Sequence, residues 1–270
     1  MAFPTVQELY DLTGKVALVT GGARNLGYDM ALALAEAGAD VAITSRYLEN
    51  AQASARTMSA ATGRKVVGFM CDVRFEDQVE AMVNAVLAEF GKIDILVNNA
   101  GNVISTPENK PLEQRPLEAW NHTLATNMTG VFLCTKHVVA KAMKPARSGV
   151  IINIGSVAGM GGKDHRVYNG TDMGGVTIDY AGAKGAVINM TREMACWLAQ
   201  YNIRVNCISP GGFYRNQPDP FPAQYSYLVP MGRMGQDGKE MKGPVVFLAS
   251  EASSYVTGIN LPVDGGMMAW

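Results

Sequence analysis

The chain has 270 residues, of which 48% are hydrophobic and 17% charged, with a formal net charge of −1. That length suits one large α/β domain with a sizeable core. The near-cancelled charge excludes the basic excess of a nucleic-acid binder and the charge block of an interaction tail. No apolar run approaches the ~18–20 residues of a membrane span, so no membrane partner is expected.

The opening "MAFPTVQELYDLTGK" lacks the basic start and apolar stretch of a signal peptide. Cys71, Cys134, Cys196 and Cys207 form no CxxC pair and read as small core residues in a reducing, cytoplasmic compartment. His122, His137 and His165 share no metal-ligand spacing, so no metal is expected.

Short β-branched runs alternate with Ala-rich helical stretches. The predicted strands are "VALVT" (16–20), "VAITS" (41–45), "VVGFM" (66–70), "DILVNN" (94–99), "VIINI" (150–154), "RVNCIS" (204–209) and "INLPV" (259–263). Helical periodicity runs through 29–38 and 75–90, with Gly38 and Gly91 at C-cap positions. The strands are continuous apolar runs, as expected when helices cover both faces of a parallel sheet. Repeated strand–helix units give an α/β fold: a doubly wound parallel sheet of seven strands in one domain spanning 1–270. Ligands on such sheets bind beyond the carboxyl ends of the strands.

After the first run comes "TGGARNLG". Gly21 permits a sharp turn, Gly27 permits close helix packing, and the helix N-terminus near Leu26 offers an anion site suited to a pyrophosphate. Asn25 tolerates left-handed backbone geometry. A plain packing turn fits the same residues. No GK[ST] follows, which disfavours a P-loop. After the second run stand Ser45 and Arg46, where an acid would grip the ribose hydroxyls of NAD. With Arg24 in the turn, two guanidinium groups favour a 2′-phosphate, and hence NADP over NAD.

Asp72, followed by Val73, follows the third run and either accepts from an adenine amino group or caps the next helix. The fourth run ends in "NNAG", where Asn99, Ala100 and Gly101 allow a flat ligand to lie against the backbone. Ser156 ends the fifth run, and Tyr180 and Lys184 stand one helical turn apart in "YAGAK". An ammonium ~4 Å from a phenol favours the phenolate by about 4 kcal/mol at an intermediate dielectric, about three pKa units. Ser156, Tyr180 and Lys184 thus read as a proton-transfer set.

These residues resemble the short-chain dehydrogenase/reductases over about residues 12–266. The likeness rests on "TGGARNLG", "NNAG", Asn127 in "LATNMTGVF", Ser156, the YxxxK pair Tyr180 and Lys184, "SPGG" (209–212) and "YVTGINLPVDGG" (255–266). It implies a Rossmann-type sheet and hydride exchange between a nicotinamide and an alcohol or ketone. Tyr180 would exchange the proton and Lys184 would lower its pKa and hold the nicotinamide ribose. Ser156 would position the substrate oxygen, and Asn127 would support a proton-relay water. Pro210, Gly211 and a backbone group near Phe213 would close on the nicotinamide.

The chain departs from the family pattern at Asn25, which replaces a glycine, and after the PG turn, which lacks the usual threonine. Ser156 and Tyr180 also lie 24 positions apart, about twice the family's usual spacing. The resulting insertion, about 159–178, and a lid, about 213–230, are expected to edge the active site. They carry Lys163, His165, Tyr168, Arg215, Asn216 and Gln217. A small polar substrate is therefore expected: a sugar, polyol or sugar acid, in the manner of the gluconate-5-dehydrogenase-like members. His165, Tyr168, Arg215 and Asn216 join Ser156 as candidate substrate residues. The alternatives are reduction of a carrier-bound 3-oxoacyl thioester, for which Lys136, Lys141, Lys144 and Arg147 would form a docking patch, and a non-catalytic nucleotide-binding regulator. A homodimer or homotetramer is expected through helices at about 116–144 and 179–201, with Met267, Met268 and Trp270 touching a neighbouring subunit.

Overall fold

The computed structural model describes residues 3–102 and 112–270. Helix α1 (Val6–Tyr10) leads in, held by a capping box between Thr5 and Glu8. The chain then alternates through β1 (Val16–Val19), α2 (Asn25–Glu36), β2 (Asp40–Ser45), α3 (Leu48–Thr62), β3 (Val66–Met70), α4 (Glu76–Phe90) and β4 (Ile95–Asn98). Next come α5 (Leu117–Leu124), α6 (Gly130–Val138), α7 (Lys144–Ala146), β5 (Gly149–Ile154), α8 (Ile178–Leu198) and β6 (Ile203–Pro210). The last elements are β7 (Phe213–Tyr214), α9 (Phe221–Tyr227), β8 (Gly235–Gln236), α10 (Lys242–Ala249) and β9 (Asn260–Val263).

Seven strands form one parallel sheet in the order β3-β2-β1-β4-β5-β6-β9, as expected from the alternating runs. The order reverses between β1 and β4, which opens a crevice at their carboxyl ends. The inner strands are buried on both faces and feed two separate cores. Val41, Ile43, Ala17, Val19, Ile95 and Val97 join Met30 and Leu34 of α2, Met58 of α3 and Val245 and Leu248 of α10. Leu18, Ala42, Leu96 and Ile151 face the other way, against Val83 and Val86 of α4, Leu133 and Val138 of α6 and Ala195 of α8. A pleated strand sends alternate side chains to opposite faces, so burial of both faces removes the polar half of the alternation.

Helices α3 and α4 end at Gly63 and Gly91 in left-handed conformation, as C-caps do. The cap of α2 is Ala37, one residue before Gly38. The stretch expected as one helix over 116–144 contains two π-helical turns, Ala125–Thr129 and Val139–Met143, between α5, α6 and α7. Such turns carry no pattern that hydrophobic periodicity detects, and they tend to accompany functional sites. Among the described residues no helix is long and apolar enough to cross a membrane.

Candidate active site

Gly21, Gly22 and Gly27 are required where β1 turns into α2. A Cβ at Gly27 would lie 2.4 Å from both Asn99 Nδ2 and the Gly21 carbonyl oxygen, and one at Gly22 would lie 2.8 Å from Ile43. Gly21 has φ +64° and Asn25 has φ +52°, so Asn25 does adopt the left-handed conformation expected of it. The turn is fastened to β4: Asn99 Nδ2 donates to the carbonyls of Thr20 (2.9 Å) and Gly21 (3.1 Å), and Thr20 Oγ1 accepts from the backbone of Asn99 and Ala100. The side chain and backbone N–H of Asn99 thus both brace the cradle against β1 and β4.

One cleft of about 720 Å³ runs along the carboxyl edge of the sheet. At one end it is lined by Arg24, Asn25, Leu26, Gly27, Ser45, Arg46, Asp72 and Val73. Asn99, Ala100 and Gly101 lie midway, and Asn127, Ser156, Tyr180, Lys184, Pro210, Gly211 and Arg215 complete it. Sequence patterns missed Thr44, Tyr47, Asn50, Ser54 and Arg74, which also line it. These polar residues have no fixed offset from a strand end, so spacing alone carries no signal for them.

Of the two roles expected for Asp72, the helix cap is not the one it takes. Its carboxylate is held by Arg74, which donates from Nε at 2.9 Å and from Nη2 at 2.6 Å. Helix α4 starts at an uncapped Phe75. Arg74 and the more distant charge of Arg46 help hold the Asp72 carboxyl below its ordinary pKa despite the opposing effect of burial. Arg24 and Arg46 are exposed at the cleft, and neither forms an ion pair among the described residues.

At the other end, the loop after β5 presses onto α8. A Cβ at Gly159 would lie 2.4 Å from the Lys184 carbonyl carbon, and this contact brings Ser156 beside Tyr180. Ser156 is 9% exposed, and its Oγ also accepts from the Ala158 N–H at 3.1 Å. Lys184 is buried, with Nζ donating to the Ile154 carbonyl at 2.7 Å and lying 5.7 Å from the Tyr180 ring centroid.

The expected lowering of the phenol pKa is corrected here. Burial raises Tyr180 above its ordinary value, with Ser156, its hydrogen-bonding neighbour, offsetting part of the rise. Burial also pushes Lys184 down to about 8. In this arrangement desolvation outweighs the ammonium's attraction, because the amine is directed at a carbonyl.

Asn127 sits in the first π-helical turn and is fully buried. Its Nδ2 donates to the carbonyls of Asn102 (2.7 Å) and Thr123 (3.0 Å). Among the described residues its Oδ1 has no hydrogen-bond partner, and it lies 2.6 Å from where a Gly101 Cβ would be. An unpaired buried acceptor calls for a donor. A buried chain that sequence reasoning missed sets the register beneath. Asn98 Nδ2 donates to Thr135 Oγ1 (3.0 Å) and Asn153 Oδ1 (2.9 Å), and Asn153 Nδ2 donates to Thr191 Oγ1 (3.0 Å). It ties β4 and β5 to α6 and to α8, the helix that carries Tyr180.

The loop residues distribute differently from expectation. Arg215 lines the cleft, but its guanidinium is paired with Asp237. Phe213 buries its ring in the main core, and its carbonyl accepts from Gln217 Nε2 at 2.8 Å, so it does not line the cleft. Asn216 has φ +56° and also lies off the cleft. His165 is exposed, and Tyr168 stacks on Phe221 with ring centroids 5.2 Å apart. Neither lines the cleft. The insertion and lid are not simply polar, because their apolar residues pair into a small core of their own. Met267 is part of that packing, and Met268 reaches Gly161, so both find partners within the chain; Trp270 is exposed.

The glycine cradle, the helix N-terminus behind it and the free arginines beside it fit a pyrophosphate-linked dinucleotide. That class of fold and site is a nicotinamide-dependent oxidoreductase of Rossmann type. The chain belongs to the short-chain dehydrogenase/reductase family and is an NAD(P)-dependent enzyme acting on CH–OH groups. A family model described as "Enoyl-(Acyl carrier protein) reductase" matches residues 21–268. The 3-oxoacyl-acyl-carrier-protein reductase of Chlamydia trachomatis is 37% identical, over 95% of this chain and 98% of its own. The 2-dehydro-3-deoxy-D-gluconate 5-dehydrogenase of Pseudoalteromonas atlantica is 35% identical, over 97% and 98%. A crystal structure of a gluconate 5-dehydrogenase from Burkholderia cenocepacia, in complex with NADP and tartrate, is similar at TM-score 0.88 and 33% identity, covering 98% of this chain and all of that one.

Proposed function

We propose that the enzyme interconverts a secondary alcohol and a ketone on a small polyhydroxylated or carboxylated substrate, with Tyr180 as general acid/base. The observation that carries this is a single cleft with a nucleotide cradle at one end and Ser156, Tyr180 and Lys184 at the other. A bound nicotinamide supplies or takes the hydride. In the reducing direction the Tyr180 hydroxyl gives its proton to the carbonyl oxygen, while the Ser156 hydroxyl donates a hydrogen bond to that oxygen as charge develops on it. A phenol kept protonated by burial suits that direction. Cationic Lys184 steadies the phenolate left behind, and Asn127 Oδ1 offers an acceptor on the route by which the proton is replaced.

The preference for NADP over NAD rests on Arg24 and Arg46, with Ser45 where an acid would stand, and the similar Burkholderia structure is a complex with NADP. The polar-substrate reading rests on the loop composition and on the gluconate-type relatives. The carrier-bound 3-oxoacyl reading draws on the Chlamydia relative. Against it, Lys136 is paired with Glu76 and Lys141 with Glu80, which neutralises half of the basic cluster. Homo-oligomerisation through α5–α7 and α8 is supported by Leu117, Phe132 and Trp197, which lie exposed on those helices.

A panel of sugars, polyols, sugar acids and 3-oxoacyl thioesters, run with both cofactors, tests the substrate class. Turnover of the thioesters alone would replace it. Tyr180→Phe should nearly abolish turnover while nucleotide affinity stays within about twofold; retained turnover would remove Tyr180 from its role.

A further inference from the structure

The insertion and the lid share a core separate from those of the sheet. Val167, Phe221, Tyr225, Val229 and Met234 are buried together, with Tyr168 and Met267 against them. Tyr168 stacks on Phe221 at 5.2 Å, and Phe221 meets Tyr225 at 5.6 Å. The 24-position spacing that departs from the family thus ends in an aromatic row leading to Tyr225.

Tyr225 is 6% exposed, and both capacities of its hydroxyl are used. The oxygen accepts the Gly212 N–H at 2.5 Å, and the proton is directed to Met267 Sδ at 3.2 Å. Ring and backbone are in direct contact, since a Cβ at Gly212 would lie 2.5 Å from Tyr225 Cζ. Gly212 follows Gly211, which lines the cleft with Tyr180 and Lys184, and β6 delivers this turn beside the end of β5 that leads to Ser156. The turn is therefore gripped from two sides. From the sheet, the Val263 carbonyl accepts the Gly211 N–H at 2.9 Å; from the lid, Tyr225 accepts the Gly212 N–H.

We infer that Tyr225 is a positioning residue: its hydroxyl fixes the Pro210–Gly212 turn at the nicotinamide end of the cleft, and the insertion, through Tyr168 and Phe221, fixes Tyr225. This rests on the nicotinamide lying at the Tyr180 end, as proposed above. The insertion then acts on cofactor placement in addition to edging the substrate site.

Tyr225→Phe keeps the ring and removes the acceptor. Its expected signature is local: a roughly 5- to 20-fold weaker Kd for the reduced dinucleotide, altered emission of the bound dihydronicotinamide, and an unchanged Kd for 2′,5′-ADP, which occupies only the adenosine end. Tyr168→Ala should show the same pattern at about 2- to 5-fold. Val229→Ala trims the same small core without touching Gly212; it should lower Tm at least as much as Tyr225→Phe yet leave the dinucleotide Kd within twofold. Wild-type Kd and emission in Tyr225→Phe would overturn the inference, as would an equal dinucleotide defect in Val229→Ala or an equal loss of 2′,5′-ADP affinity. A wild-type enzyme that binds no nicotinamide dinucleotide would overturn the proposed function first, and this with it.

Discussion

Lys184 gives its hydrogen bond to the Ile154 carbonyl at 2.7 Å and leaves the Tyr180 hydroxyl to Ser156. The amine is held by the end of a sheet strand, with Nζ 5.7 Å from the Tyr180 ring centroid. Burial holds its pKa at about 8, so it is cationic below that pH and neutral above it. The kcat/KM for cofactor, which reports the free enzyme, should fall on the alkaline side with a midpoint near pH 8. In Lys184→Arg that limb should move above pH 10, while kcat drops at least about tenfold because a planar fork does not replace a point donor. A profile flat to pH 10 in the wild type would exclude Lys184 as the titrating group.

Asp179, immediately before Tyr180, is fully buried and pairs with Arg115 at 2.7 Å. Asp179→Ala takes this carboxylate from a guanidinium that is itself only 7% exposed. The expected loss is about 1.5–3 kcal/mol in urea unfolding, the size of a buried hydrogen bond to a charged group. A change under ~1 kcal/mol would show that the pair contributes little to holding α8.

Arg24 and Arg46 should act as a pair on cofactor choice. Replacing either with Ala is expected to weaken NADP(H) binding roughly 10-fold and NAD(H) less than about twofold, since each removes a charge-assisted contact to one phosphate. Isothermal titration with both cofactors decides it. Equal losses for the two would place the arginines on the shared pyrophosphate.

Asn25 carries a backbone conformation that few side chains accept. Asn25→Gly should leave stability within about 0.5 kcal/mol, whereas Asn25→Ala should cost roughly 1–2 kcal/mol from left-handed strain. Thermal unfolding of the two variants separates a conformational role from a contact made by the amide.

Lys163 is half-buried over the Tyr225 ring and 3.5 Å from Met267 Sδ, with its pKa lowered from 10.5 to about 8. Between about pH 8 and 10.5 the unfolded chain therefore binds more protons at this site, and its contribution to stability rises with pH. Lys163→Met should be more stable than wild type at pH 7 by roughly 1–2 kcal/mol, allowing for partial solvation, with the difference closing near pH 10.5. Urea titrations at the two pH values measure it.

The sheet was legible in the sequence because most strands are largely apolar runs between helical stretches, and every predicted strand lies within a residue or two of its place. Ser156, Tyr180 and Lys184 were legible from a strand end and a helical spacing and Asn127 through the family resemblance, and one cleft gathers them. Two kinds of information were not. A tyrosine's pKa depends on where an amine's hydrogen bond goes, and sequence spacing showed Lys184 within reach but not its attachment to Ile154. The insertion's polar composition also hid Val167 and Tyr168, whose apolar partners lie more than fifty residues away on α9.

The contact of Gly159 with the Lys184 backbone divides the molecule's tolerance for change. Ser156 is moored against α8 through Gly159, so changes within residues 160–177 are expected to leave its placement beside Tyr180 intact. The hinge-like price of such swaps falls elsewhere, on the turn that Tyr225 steadies. Grafted segments would therefore be screened first for how firmly they seat the cofactor, and only afterwards for which alcohol they admit.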